Sequence, residues 1–155
     1  MGNFFVSIQN YYKFLDYAEF LDWLFCDCKF SARNNWTSGH VGSFTKAVIK
    51  LFGKENYNYG YRKNLDFEKA RNNQLSVISA KGDSEGRDII RHIRNGIAHG
   101  NVKVRNIKSE IWIEILDFNQ EKNKTAYINM PFEYLSSIFQ FYKQKEKQLK
   151  GKIKK

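Results

Sequence analysis

Cysteine and proline are scarce in this sequence of 155 residues. Its two cysteines, Cys26 and Cys28, lie two positions apart in a predicted helix, where their side chains point about 200° apart. A disulfide between them is therefore not expected, and two free thiols suit a reducing cytoplasmic location. Because there is one proline and no Ser/Gly-rich run, no linker is visible, and a chain of this length fits one domain.

Long uninterrupted apolar runs are also missing. Near the N-terminus the apolar residues are interrupted by Lys13, Asp16, Glu19 and Asp22. This pattern predicts neither a signal peptide nor a membrane span, so no membrane partner is expected. The three carboxylates lie at helical spacing on a mostly solvated face, and no phosphate-binding or dinucleotide fingerprint occurs. We therefore expect no metal site and no cofactor.

Acidic residues are outnumbered, with 16 Asp and Glu against 26 Lys and Arg and a formal net charge of +10. The excess is uneven, because residues 143–155 contain seven lysines and one glutamate and so hold +6 of that +10. A basic chain favours a nucleic-acid partner, although basic tails are more often solvated ends. We predict one domain over residues 1–142 and a basic tail over residues 143–155.

Large apolar side chains are abundant, and the sequence is 42% hydrophobic and 16% aromatic, which predicts a folded protein. In residues 8–29 they recur every three or four positions, as on one face of an amphipathic helix. Further helices are predicted over residues 43–52 and 64–80, and the tyrosine-bearing segment between these two, residues 53–64, is predicted to be a loop.

A fourth helix is predicted after a break at residues 81–86, which Asp83 or Ser84 can cap. It reaches His99, and Gly100 then offers a left-handed C-terminal cap.

After Gly100 the apolar period changes from helical to β. Isoleucines alternate with other residues at positions 111, 113 and 115, and a second β-like run covers residues 125–130. The polar residues 119–124 between the two runs predict a β-hairpin, and residues 102–104 are a candidate third strand.

Asn129 and Pro131 suit the cap and first turn of a closing helix, whose apolar face ends in a run of lysines. We therefore predict a mainly α fold, a helical bundle with a small β-hairpin inserted before the last helix.

The helix over residues 87–99 concentrates polar side chains beside its predicted buried face, which consists of Ile89, Ile90, Ile93 and Ile97. At 100° per residue, two polar stripes form, Arg87, Arg91 and Arg94 on one, His92 and His99 on the other, with Asn95 between them. Arginines stacked one turn apart repel by a few tenths of a kcal/mol per pair when exposed, so the arrangement suggests a ligand.

Phosphate is the natural ligand of such a surface, because a guanidinium donates hydrogen bonds in a planar fork and stays charged. Histidine can take or give a proton near neutral pH. Arg and His together supply what RNA cleavage by 2′-OH attack needs, namely proton transfer and a cation for the extra negative charge. The alternative is purely structural: basic residues near a helix C-terminus also complement the helix dipole, and Gly100 is an ordinary terminator.

The stretch "IRNGIAHG", residues 93–100, resembles the R-x4–6-H motif of the HEPN superfamily, the "higher eukaryotes and prokaryotes nucleotide-binding" domains. In its common form a polar residue, often Asn, follows the Arg, as Asn95 does. The resemblance is strongest over residues 83–100, and the order of helix, motif, hairpin and final helix is similar to that of small stand-alone, plasmid-type members. It implies a compact helical bundle and, as in many prokaryotic members, a metal-independent ribonuclease of a toxin or antiviral defence system.

Carried over residue by residue, the resemblance implies that His99 acts in proton transfer on the 2′-OH. Arg94 holds and polarises the scissile phosphate, and Asn95 orients the phosphate or the imidazole. HEPN ribonucleases usually place two such motifs across a dimer interface, which implies a homodimer with a composite site. Arg87, Arg91 and His92 lie outside the core motif, where they either widen the phosphate contact or are solvated surface groups.

These implications predict an endoribonuclease that cleaves single-stranded RNA without a metal, with an antitoxin or other defence-system protein as a compatible partner. A second hypothesis is a non-catalytic dimeric module of HEPN type that binds RNA, a nucleotide or a protein. A third is a structural defence-system subunit whose basic tail contacts nucleic acid. No sequence feature identifies the RNA target.

Overall fold

The computed structural model describes residues 41–61, 65, 67, 72–79 and 85–153. The helix predicted over residues 8–29, with both cysteines, and the cap at Asp83 or Ser84 lie outside these residues. The described chain forms three α-helices, which are α1 (Val41–Phe52), α2 (Glu85–Ala98) and α3 (Phe132–Ile153). It also forms a short 3-10 helix (Lys54–Asn56) and five strands, β1 (Tyr57–Gly60), β2 (Gln74–Ile78), β3 (Val102–Ile107), β4 (Glu110–Phe118) and β5 (Lys124–Pro131).

The five strands of the described residues form one mixed sheet in the order β1-β2-β5-β4-β3. Strands β1 and β2 are parallel, and every other neighbouring pair is antiparallel. The prediction of a mainly α bundle with a small hairpin is therefore wrong for this part of the chain. The predicted hairpin is the centre of a larger sheet, because β5 pairs with β2 on its other side.

One face of the sheet carries the apolar core. The register places Ile115 opposite Ile128 and Ile128 opposite Leu75, and all three are fully buried. Apolar side chains of all three helices join the same core, including Phe44 of α1 and Leu135 of α3. Each such buried side chain contributes about 1.5–3 kcal/mol, so the sheet and helices hold one another in place.

The strand β2 replaces part of the helix predicted over residues 64–80. Two features exclude a helix there. Asn73 has a left-handed backbone (φ 57°), and its side chain donates a hydrogen bond to the Phe52 carbonyl at 3.2 Å. Leu75 and Val77 alternate with Gln74 and Ser76, and all four are buried because β2 lies inside the sheet.

The segment predicted as a tyrosine-bearing loop contains β1, so that prediction is also wrong over Tyr57–Gly60. Tyr57 and Tyr59 pair in register with Leu75 and Val77 of β2 and pack against the core. The parallel pairing joins segments distant in sequence, so local residue type did not reveal it.

The predicted hairpin is confirmed as β4 and β5, with the isoleucines at 111, 113 and 115 on the buried face. The candidate third strand is confirmed and is longer than predicted, because β3 and β4 are joined by a tight turn with positive φ at Lys108 and Ser109. Asn129 and Pro131 belong to β5 and do not start the closing helix, which begins at Phe132.

Helix α3 continues through the lysine-rich segment as far as Ile153, beyond the boundary predicted at residue 142. No helix among the described residues has both the length and the apolar character that crossing a membrane requires.

Candidate active site at the C-terminal end of helix α2

Helix α2 lies on β4 through the face predicted from its isoleucines. Ile89, Ile90, Ile93 and Ile97 are each at most 1% exposed, which confirms that prediction. The helix carries Glu85 and Asp88 in its first turn, where acidic side chains favour the helix dipole. The packing face fixes the rotation of the helix about its axis and thereby the direction of its polar residues.

Gly96 allows the end of α2 to lie unusually close to β4. A Cβ atom at this position would be 2.4 Å from Cγ2 of Ile115 and 2.7 Å from the carbonyl oxygen of Leu116. Any side chain would push the helix away from the strand. This glycine was not recognised from the sequence as a packing residue, although it lies inside the motif "RNGIAHG" between Arg94 and His99.

The helix ends as predicted, with Gly100 in the left-handed region (φ 73°). The Gly100 N–H donates to the Ile97 carbonyl at 3.1 Å, and the Asn101 N–H donates to the Gly96 carbonyl at 2.9 Å, which is a Schellman cap. The Asn101 carbonyl accepts a hydrogen bond from the Leu116 N–H at 2.9 Å. The end of α2 is thus joined to β4 directly behind the motif.

Two of the three predicted catalytic residues, Arg94 and Asn95, lie in this last part of the helix, and His99 follows it directly. Arg94 and Asn95 are half-buried, and His99, the last residue before the glycine, is exposed. The His99 N–H donates to the Asn95 carbonyl at 2.9 Å, so the two residues are one helical turn apart. At this spacing their side chains point about 40° apart, whereas Arg94 and His99 point about 140° apart.

A buried carboxylate from β4 lies beneath the motif. Asp117 is 3% exposed, and its Oδ2 is 2.7 Å from Nδ1 of His92 and 3.3 Å from Nδ2 of Asn95, which donates to it. Its Oδ1 accepts the Phe118 N–H at 2.9 Å. The sequence held a signal for this residue, because position 117 continues the buried alternation of Ile113 and Ile115 and carries an acid there.

His92 differs from the expectation of a solvated or phosphate-binding group. It is 3% exposed, and its Nε2 is buried without a hydrogen-bond partner among the described residues. Arg87 is also buried, at 8% exposed. Neither side chain lies on an open surface in this structure, and substrate contact by either stays a prediction.

The first half of α2 holds a separate polar cluster. Asp88, fully buried, accepts hydrogen bonds from the Tyr59 hydroxyl at 2.5 Å and from the Arg91 guanidinium at 2.8 Å. Burial, and then the hydrogen bond to Asp88, raise the pKa of Tyr59 above its ordinary value, so Tyr59 stays protonated and donates at neutral pH. Arg91, predicted as a phosphate contact, is half-buried and forms an ion pair with Asp88.

No group of three or more His, Cys, Asp or Glu in the described part of the chain could hold a metal ion. The motif itself offers a guanidinium, an amide and an imidazole.

A helix that ends in Arg, Asn and, four residues after the Asn, an exposed His is the R-x4-H arrangement of a HEPN-type domain. A family model described as HEPN pEK499 p136 matches residues 5–149, and the chain belongs to this family. No curated protein and no solved structure matches the chain. Membership extends the resemblance from the motif to nearly the whole chain.

Proposed function

We propose that the protein is a metal-independent endoribonuclease of toxin or defence type that cleaves single-stranded RNA. One observation carries the proposal: at the C-terminal end of α2 an exposed His99 follows one turn after Asn95, whose amide is hydrogen-bonded to Asp117, and the half-buried Arg94 directly precedes Asn95. Membership of a HEPN family supports an RNA-related role.

The reaction requires two proton transfers and one cation. A base removes the proton of the 2′-OH, whose oxygen attacks the adjacent phosphorus. The bond from phosphorus to the 5′ oxygen breaks, and an acid protonates that oxygen. The products are a 2′,3′-cyclic phosphate and a 5′-hydroxyl. His99 serves in proton transfer, and Arg94 stabilises the charge that builds on the phosphoryl oxygens. Since two side-chain types cover these needs, the proposed chemistry uses no metal.

Two copies of the chain supply the second imidazole. One motif offers a single exposed histidine, and general acid–base cleavage is best served by two. A two-fold axis near the end of α2 would bring His99 of each copy to one phosphate, with an Arg94 on either side. The angle of about 140° between Arg94 and His99 within one helix also favours a site in which groups from both copies meet.

Unpaired RNA is the substrate that this chemistry favours. In-line attack requires the 2′-OH to rotate into line with the leaving oxygen, which an A-form helix resists. A strand containing one 2′-deoxynucleotide should not be cut at that position, because its nucleophile is missing.

The test compares wild type, His99→Ala and the control Lys103→Ala on a labelled single-stranded RNA, with and without chelator. Lys103 is an exposed cation on β3, four positions after His99 in the sequence. We expect His99→Ala to fold and bind RNA but to lose cleavage by about 10²–10⁴-fold, the range for a lost acid or base. Lys103→Ala and chelator should change little.

Full activity of His99→Ala would overturn the assignment, and cleavage that stops with chelator would overturn its metal independence. RNA binding without cleavage by wild type on every RNA tested would favour the non-catalytic binding module. A protein that is monomeric in sedimentation while it cleaves would remove the composite site.

A further inference from the structure

The buried pair of Asp117 and His92 has no role in the proton transfers proposed above. An acid at a core-facing position of β4 is unfavourable for packing, and so is an imidazole whose Nε2 has no hydrogen-bond partner among the described residues. Neither group is needed to fill the core, where Ile113 and Ile115 occupy the equivalent positions of the strand. The pair is connected to the motif, because Asp117 also accepts a hydrogen bond from the Asn95 side chain.

Asp117 determines which end of the Asn95 amide faces the strand. A carboxylate can only accept hydrogen bonds, so the amide nitrogen must be the end that faces it, as the distance of 3.3 Å from Nδ2 to Oδ2 shows. The amide oxygen then points away from Asp117. Asn95 therefore offers an acceptor on the side of the helix that it shares with His99.

The carboxylate is itself held from two further directions. His92 lies 2.7 Å away on the buried side, and the Phe118 N–H fixes the second oxygen at 2.9 Å. The pairing of β4 with β5 is irregular between Asp117 and Phe118, where Thr125 of β5 is the extra residue. These contacts leave Asp117 one orientation.

We infer that Asp117, held by His92, is a positioning residue of the proposed ribonuclease site. It turns the Asn95 carbonyl oxygen toward the reacting groups, where that oxygen accepts a hydrogen bond from the His99 imidazole or the 2′-OH. The inference rests on the proposed function and adds to it a residue outside the motif and a direction for the amide.

The experiment is a double-mutant cycle between Asp117→Asn and Asn95→Ala, with kcat and KM measured for RNA cleavage. In Asp117→Asn a donor can face the Asn95 amide, which is then free to reverse. We expect kcat to fall about 10–100-fold with KM nearly unchanged, the size of effect expected from a misplaced group. In the Asn95→Ala background the same change should cost less than about 3-fold, because the residue through which it acts is gone.

Glu114→Gln is the matched control. Glu114 is a buried carboxylate of the same strand, paired with Arg105 at 2.7 Å, but it lies on the opposite face of the sheet. We expect Glu114→Gln to lower the melting temperature about as much as Asp117→Asn does and to leave kcat unchanged. That result would show that loss of a buried carboxylate does not by itself impair cleavage.

Asn95→Asp covers the case in which Asp117→Asn does not fold, because residue 95 is half-exposed. The change keeps an acceptor oxygen but places like charges together, so cleavage should fall as far as in Asn95→Ala. Combining Asn95→Asp with Asp117→Asn restores a hydrogen bond in the reverse sense and should recover part of the loss.

Wild-type kcat in Asp117→Asn or in Asn95→Asp, or multiplicative losses in the cycle, would overturn the inference and leave the proposed function intact. If wild type does not cleave RNA at all, the proposed function fails, and the positioning role fails with it.

Discussion

The two halves of helix α2 use the same kinds of polar residue in opposite ways. In the first half, Asp88 is closed off from solvent and bound by Tyr59 and Arg91. In the second half, Arg94 and Asn95 are half-buried, and His99 is exposed. Polar side chains at helical spacing are thus structural at one end and accessible to a ligand at the other.

The difference comes from what covers each half. Tyr59 of β1 reaches Asp88 and closes the first half of the helix. The second half is fixed to β4 by backbone contact at Gly96 and by the Asn95–Asp117 hydrogen bond. These contacts lie on the strand side of the helix, and His99 at its end is exposed. A site built in this way is rigid and accessible at once, which catalysis requires.

Replacing Gly96 by Ala should give the largest loss of stability. Alanine is better than glycine in a helix by about 1 kcal/mol, so an uncrowded position would gain stability. Here the new Cβ would lie 2.7 Å from the Leu116 carbonyl oxygen, a backbone atom that cannot rotate away. We expect a net loss of about 3 kcal/mol, at the upper end for overpacking, measured by urea unfolding.

Cleavage should also fall in Gly96→Ala, because lifting the helix separates Asn95 from Asp117. Ile115→Val removes only Cδ1 and keeps the γ-carbons, so adding it should not recover the stability. If Gly96→Ala were as stable as wild type, close backbone contact with β4 would not be what fixes the second half of α2, and the contrast between the two halves would fail.

Part of this arrangement could be predicted from the sequence. The isoleucine spacing gave the buried face of α2, and Gly100 gave its end, because both depend on residues close in sequence. The hairpin of β4 and β5 followed from strict alternation. For both strands the local sequence pattern was sufficient, without knowledge of the other strands of the sheet.

The rest depended on contacts between distant segments. Tyr57–Gly60 and Gln74–Ile78 form strands because they pair with each other and with β5. On a helical wheel His92 lies on a polar stripe, but in the structure it is buried against Asp117, which is 25 residues later in the sequence. The motif marked Arg94, Asn95 and His99, and only the strand beneath them showed what holds the amide.

An intermediate effect is expected from Asp88→Asn, which tests whether the first half of α2 is purely structural. The change removes a charged acceptor from the Tyr59 hydroxyl and the Arg91 guanidinium. We expect a loss of about 2 kcal/mol in the free energy of unfolding, as for hydrogen bonds to a charged group. Single-turnover cleavage by the folded fraction should stay at the wild-type rate.

Tyr59→Phe is the partner variant, since it removes one of the same hydrogen bonds and keeps the charge. It should cost less than Asp88→Asn. A selective loss of cleavage in either variant would extend the site into the first half of the helix and break the contrast between the two halves.

The smallest loss of stability is expected from substitutions at Gly100, where only the left-handed backbone conformation is affected. In the described part of the chain, no atom beyond the adjacent residues lies within 4 Å of a Cβ built there, so we expect Gly100→Ala to introduce no clash and to cost about 1 kcal/mol for the left-handed conformation alone. Gly100→Asn should cost less, because Asn tolerates this conformation better than Ala. If melting temperatures decrease in the order wild type, Gly100→Asn, Gly100→Ala, the role of Gly100 is to end the helix after His99. Equal losses for Asn and Ala would instead require a steric role, and a loss of cleavage larger than the loss of stability would mean that the left-handed cap also sets the direction of the imidazole.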